Sequence, residues 1–193
     1  IVTAGILSAL ASTASAGLLT TTFSSNNGYA GNMFDVTTFG NDLNITGLGV
    51  NTDANIGSNV TFSLYTKIGS YSGSETNASD WTLIDTKTFA SAGEDNESFF
   101  DVSDFVLSSN TTYGFYVDLS SYNRNTNRLV YTNGSNTYSN ADLQIDTGIG
   151  RGTGFSSSIF SPRTWNGSIH YEVASNTSAT KVPDTTSTLA LFG

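Results

Sequence analysis

Apolar and polar residues alternate with a period of two along most of this chain, in short runs separated by clusters of Gly, Asn, Ser and Asp. Val60-Thr61-Phe62-Ser63-Leu64-Tyr65 is the cleanest case. Successive side chains of a strand point to opposite sides, so Val60, Phe62 and Leu64 share one face, predicted to be the inner one. The longest signal is 112–119, with Tyr113, Phe115, Val117 and Leu119 on one face and Thr112, Gly114, Tyr116 and Asp118 on the other. Shorter strands are predicted over 18–23, 33–36, 81–89, 99–102, 105–107, 129–132, 143–145 and 169–173. In 43–50 the apolar phase slips, from Leu43 and Ile45 to Leu48 and Val50. One extra residue at Gly47, a β-bulge, produces such a slip. Turn residues fill the gaps: 24–28, 92–96, 108–110, Asn133-Gly134, a glycine-rich loop at 148–154 and a long polar loop at 69–80 that contains Tyr71. Past the first sixteen residues no run has a helical period. Half-polar strands favour antiparallel pairing over βαβ units. The predicted fold is an all-β antiparallel sandwich, of jelly-roll kind.

Composition narrows the function classes. Charged residues make up 12% of the chain, against about 25% in ordinary soluble domains. Asn, Ser, Thr and Gly cover the surface instead, as suits an extracellular β protein. With 0 Cys, thiol chemistry, disulfides and thiolate metal sites are excluded. The formal net charge of −9 argues against nucleic acid and anionic lipid as partners, since both need clustered Lys and Arg.

The ends of the sequence carry an address. Residues 1–10 are apolar or small, and Ala14-Ser15-Ala16 has the small-x-small form that signal peptidase accepts. Residues 1–16 are read as most of a secretory signal cut before Gly17, too short to span a membrane; a buried core segment is the lesser alternative. No initiator Met or positive n-region precedes the run, so the chain is expected to begin upstream. At the other end, Val182-Pro183-Asp184 is followed by a small-polar run and then Leu189-Ala190-Leu191-Phe192. This tail resembles the Val-Pro motif of exosortase-sorted envelope proteins, the PEP-CTERM class, in which one transmembrane helix and a basic cluster follow. The helix is expected to continue beyond Gly193. A disordered C-terminus is the alternative, and the export-like front tips the balance. Residues 17–180 then form a single sandwich domain and 181–193 the start of the sorting tail.

The domain also resembles one found between such signals and tails. The stretches that carry this are Asn26-Asn27-Gly28-Tyr29-Ala30-Gly31-Asn32-Met33-Phe34-Asp35, Gly69-Ser70-Tyr71, Trp81-Thr82-Leu83, Thr112-Tyr113-Gly114-Phe115-Tyr116-Val117 and Trp165-Asn166-Gly167-Ser168-Ile169-His170-Tyr171, together with 131–134, 139–143 and 160–163. The resemblance implies an exported, surface-associated β protein of the cell envelope or exopolysaccharide matrix, served by signal peptidase and an exosortase-like enzyme. It supplies no catalytic residue.

The candidate chemistry is sparse. The single histidine, His170, falls in register with Ser168 and Glu172 and is expected to be an exposed strand residue. One His and no Cys leave Ser-His-Asp and Cys-His catalysis without support. The glycine-rich run 148–154 lacks a Gly-Lys-Ser/Thr ending, so turn or strand-edge use is expected, not phosphate binding. Calcium, which takes oxygen ligands from loops, has its best candidates in Glu94, Asp95 and Glu97. Asp101 with Asp104, or the 94–97 carboxylates, are what a glycosidase would have to use. Tyr71, Trp81, Tyr122 and Trp165 could stack on sugars, Tyr71 and Trp81 first among them; core packing is favoured for Trp165. Arg163 is expected to stack on Trp165 or Tyr171 and to pair with an Asp. The readings, in order, are a non-enzymatic envelope or matrix protein with a structural or adhesive role, a carbohydrate-binding module assisted by calcium, and a glycoside hydrolase.

Overall fold

The structure is a computed structural model and describes residues 15–156 and 158–174. The expected sorting motif, Val182, Pro183 and Asp184, lies outside the described residues, as do residues 1–14 of the expected signal and the expected domain boundary at 180. Among the described residues no helix is long and apolar enough to cross a membrane.

Two antiparallel sheets pack face to face as a β-sandwich. The smaller sheet contains β1 (Ser15–Thr20), β4 (Leu43–Val50), β7 (Ser98–Phe100), β8 (Phe105–Leu107) and β15 (Gly167–Val173). Its order is β1-β15-β4-β7, with β8 also on β4. The larger sheet runs β2-β10-β14-β13-β3-β9-β5-β6. These are β2 (Asn27–Tyr29), β3 (Gly31–Thr38), β5 (Asn59–Ile68), β6 (Thr82–Ala90), β9 (Thr112–Leu119), β10 (Leu129–Asn133), β13 (Gly148–Arg151) and β14 (Ile159–Trp165). Of two short strands, β12 (Leu143–Ile145) pairs with β3 and β11 (Tyr138–Ser139) pairs with β12.

The period-two pattern becomes rows of apolar side chains across the ladders. In the smaller sheet Leu19 lies beside Ile169, Ile169 beside Leu48 and Leu48 beside Phe100. In the larger sheet Ile145, Val36 and Tyr113 form one row, and Phe34 sits opposite Phe115. Val60, Phe62 and Leu64 are fully buried between the sheets, as their alternation predicts. A bulge is present one residue before the expected position: Gly47 is itself paired with His170 and Ile45 with Tyr171, so Thr46 is the extra residue of β4. The slip returns Leu48 and Val50 to the inner face.

Two expectations are corrected. Residues 27–28, assigned to a turn, open strand β2. The expected glycine-rich loop or strand edge at 148–154 begins as β13, an inner strand between β14 and β3. A Cβ on Gly148 would lie 1.7 Å from the Met33 carbonyl oxygen, so a side chain there cannot coexist with the ladder. The face of β9 that carries Tyr116 and Asp118 is also buried. On that outer face Ile149, Met33, Tyr116 and Tyr65 form a second apolar row, closed over by Trp81, Tyr71 and Phe155. At the front of the chain, Ser15 and Ala16 are the first two rungs of β1, opposite Val173 and Glu172, and Gly17–Thr20 supply the other four.

Candidate functional site

The sequence-predicted aromatics are placed by the outer cluster. Trp81 stands where the 69–81 loop returns to β6, and its Nε1 donates to the Ser74 carbonyl at 2.9 Å. Its ring meets Tyr116 and Phe155, each with centroids 6.1 Å away, and the residue is 8% exposed. Stacking on a sugar would require the loop to open. Tyr71 is half-buried against the same cluster, held by its backbone N–H on Asp35 Oδ1 at 2.9 Å. Gly114 makes this crossing possible, because a Cβ there would be 2.8 Å from the Tyr71 nitrogen. Tyr122 lies against Tyr29 with centroids 5.0 Å apart. Trp165 is a core residue, as favoured, stacked on Phe34 at 4.5 Å. Arg163 lies over Tyr131, not Trp165 or Tyr171, and donates to the Pro162 carbonyl.

The three calcium candidates separate into different jobs. Asp95 Oδ1 accepts from the Ser25 N–H at 2.8 Å and the Asn51 amide at 3.1 Å, fastening the 92–97 turn to the loops before β2 and after β4. Burial raises its pKa, but these hydrogen bonds outweigh that and hold it below the usual carboxylate range. Glu94 Oε1 accepts from the Ser25 hydroxyl. Glu97 Oε1 is 2.6 Å from His170 Nε2. Among the described residues no group of three or more His, Cys, Asp or Glu is arranged to hold a metal ion. Asp101 sits 3.8 Å from Lys87, and Asp104 accepts from the Asn44 amide, so these two carboxylates have separate partners.

His170 is half-buried, not free on the strand surface. Its polar-face register with Ser168 and Glu172 holds, but Phe99 meets the ring edge-on at 5.0 Å and Ser168 beneath it is fully buried. Ser168, His170 and Glu97 superficially combine the residue types of a hydrolytic triad. Both contacts, however, use the same nitrogen: Nε2 is 3.3 Å from Ser168 Oγ and 2.6 Å from Glu97 Oε1. A triad needs the carboxylate on one ring nitrogen and the hydroxyl on the other, so this arrangement cannot relay the serine proton.

The residue that sequence reasoning missed is Arg151. It is fully buried at the end of β13, and its Nη2 donates to the Glu75 and Ser156 carbonyls at 2.7 and 2.5 Å. It thereby ties the two loops that cover the outer cluster. Beside it the Tyr116 hydroxyl oxygen lies 2.7 Å from Asp118 Oδ1 and 2.6 Å from the Gly154 carbonyl, and its single proton is donated to one of these two acceptors at a time. Burial pushes the Asp118 carboxyl up, against the hydrogen bonds from Tyr116, Gly154 and Ser120 and the Arg151 charge. A lone Arg in a glycine run was the only sequence signal for this network. No carboxylate partner in the sequence pointed to it, because its acceptors are backbone carbonyls.

One open feature of the described surface is a depression of about 330 Å³ between the loop that leads into β5 and the loop that follows β9. Its floor is rigid. Asn127 donates to Ser121 Oγ at 2.8 Å and accepts from Thr52 Oγ1 at 3.0 Å, while Ser121 Oγ also accepts from the Thr61 N–H at 2.9 Å. Asn123 and Asn127 exchange both backbone hydrogen bonds, at 2.9 and 2.8 Å. Next to the floor Asp53 receives Arg128 through its N–H and its Nε, both at 2.6 Å. On the rim Ser58 bonds the Asn55 carbonyl at 2.6 Å. The side chains of Asn55, Asn59 and Thr126 make no hydrogen bond within the described protein.

No protein-family model matches this chain, and no curated protein matches it either.

Proposed function

We propose that this chain is a non-enzymatic, exported protein of the cell envelope or extracellular matrix with a structural or adhesive role. The observation that carries this reading is where the reactive-looking groups are spent. The aromatic rings fill two clusters, the acidic side chains fasten loops, and the one histidine is locked to Glu97 by the nitrogen that catalysis would need free. The exposed surface left over is dominated by amide and hydroxyl side chains, suited to a hydrated exterior. The signal-like run at 1–16 and the Val182-Pro183-Asp184 tail support export through signal peptidase and an exosortase-like enzyme. Jelly-roll wiring of the sandwich belongs to the same proposal.

An antibody raised against the domain tests it in intact source cells. The expected result is surface labelling that disappears when protease is added outside the cells, with the protein recovered in the envelope or matrix fraction. A pool confined to the cytoplasm and protected from protease would overturn the proposal. Replacing Pro183 by Ala in the full reading frame should leave export intact and reduce retention at the surface.

A further inference from the structure

We propose that the depression between the 54–59 and 121–127 loops is a binding site for a neutral saccharide. This goes beyond the structural or adhesive reading and does not rest on it, since an exported matrix protein without a sugar site would still be one.

The chemistry of the lining selects the ligand class. Its polar side chains are carboxamides and hydroxyls, and none carries a charge. An anionic sugar or a phosphate would call for Arg or Lys, and a cation for carboxylates. A peptide would call for apolar pockets or a free sheet edge. A sugar presents hydroxyls that both donate and accept, and a carboxamide offers a donor and an acceptor side by side, so Asn matches a pair of neighbouring hydroxyls. Asn55, Asn59 and Thr126 hold this capacity unspent on the rim. The Ser121 and Asn127 side chains are already held by bonds within the protein, so these two need little ordering when a ligand binds. A volume of about 330 Å³ accommodates one or two sugar rings. No aromatic ring lines the depression, so hydrogen bonds alone hold the ligand, and the dissociation constant should be on the order of 1 mM.

The test is a titration of the intact ¹⁵N-labelled chain with gluco-, galacto-, manno- and xylo-oligosaccharides, followed through the Asn side-chain amide resonances. At least one neutral oligosaccharide is expected to shift the amides of Asn55, Asn59, Asn123 and Asn127 in a saturable way. The double variant Asn55→Ala/Thr126→Ala should weaken that binding about tenfold with an unchanged melting temperature, because neither side chain bonds within the protein. Asn59→Asp, a second variant at the rim, should also weaken it. The proposal is overturned if no neutral oligosaccharide moves these amides at concentrations of about 20 mM. Shifts centred on Tyr71 and Trp81, undiminished binding by both variants, or tighter binding of oligogalacturonate would each overturn it as well.

Discussion

Gly148 tolerates no side chain, and the reason is backbone. A Cβ there would meet the carbonyl of Met33, which cannot retreat without breaking the β13–β3 ladder. Gly148→Ala is expected to cost more than about 3 kcal/mol and to appear largely as insoluble protein; a soluble variant melting like the parent would contradict the placement. Phe115 poses the opposite problem, a void. It is fully buried, with Phe34 at 5.8 Å and Phe105 at 6.2 Å. Phe115→Ala should lose about 3–5 kcal/mol in urea melts. His170 contributes much less, because its contact with Glu97 is partly solvated, with about a third of each side chain exposed. Removing it should cost less than about 1 kcal/mol and leave the circular dichroism spectrum unchanged. The alternation of 112–119 identified Phe115 as a core residue. Nothing local distinguished Gly148 from a loop glycine, since its constraint comes from a strand more than a hundred positions earlier.

At the level of elements, β9 is the strand the molecule is built around, with both faces covered. Its inner face was legible from period-two alternation. Its outer face reads as polar, and is buried only because the 69–81 loop and the segment after β13 fold across it. That covering is local, so it should open locally. In hydrogen exchange, Trp81→Ala is expected to strip protection from 69–81 while the amides of β3 and β9 keep theirs. Loss of protection throughout would mean that the outer cluster is part of the global core. The 92–97 turn supports a second prediction. An extracellular-type calcium site would add about 1.4–2.7 kcal/mol at roughly 10 mM Ca²⁺. Here the carboxylates of Glu94, Asp95 and Glu97 already serve Ser25, Asn51 and His170. Melts matched for ionic strength should therefore show no calcium-specific rise, and a clear rise would restore the binding-module assignment of this turn.

For the molecule as a whole, the buried carboxylate sets one term of the acid response. Asp118 has a higher pKa in the folded protein than its usual value, so the folded state holds that proton more tightly than the unfolded chain does. Between the folded value and the unfolded value near about 3.9, falling pH therefore adds stability. Asp85 and Asp95 act in the other direction. Burial raises each, but hydrogen bonds from Ser103 and Thr86, with Lys87, outweigh it at Asp85, and those from Ser25 and Asn51 outweigh it at Asp95. Their contribution is present above about 3.9 and is lost as the pH falls through their lowered values. Asp118→Asn should be more stable than the parent at neutral pH, with the advantage closing as the pH approaches about 4. Urea melts across that range measure it, and an Asn variant that is weaker at neutral pH would show that the carboxylate charge is needed beside Arg151.

The sequence by itself determined the class of fold, most of the strands and the inner face of the clearest ones, because alternation and turn chemistry are local properties that any pairing partner must respect. It also located the bulge in β4 to within one residue, since a slipped apolar phase has no other economical cause in a strand. Only the tertiary structure decided which strands became neighbours, that a glycine-rich stretch is an inner strand, and that Trp81 and Tyr71 close a second cluster. It alone decided that Glu97 and His170, 73 positions apart, spend their chemistry on each other. The polar depression is the plainest case: two Asn- and Ser-containing loops look like ordinary turns in the sequence. Their side chains converge on one site only because β5 and β9 are hydrogen-bonded neighbours in the larger sheet.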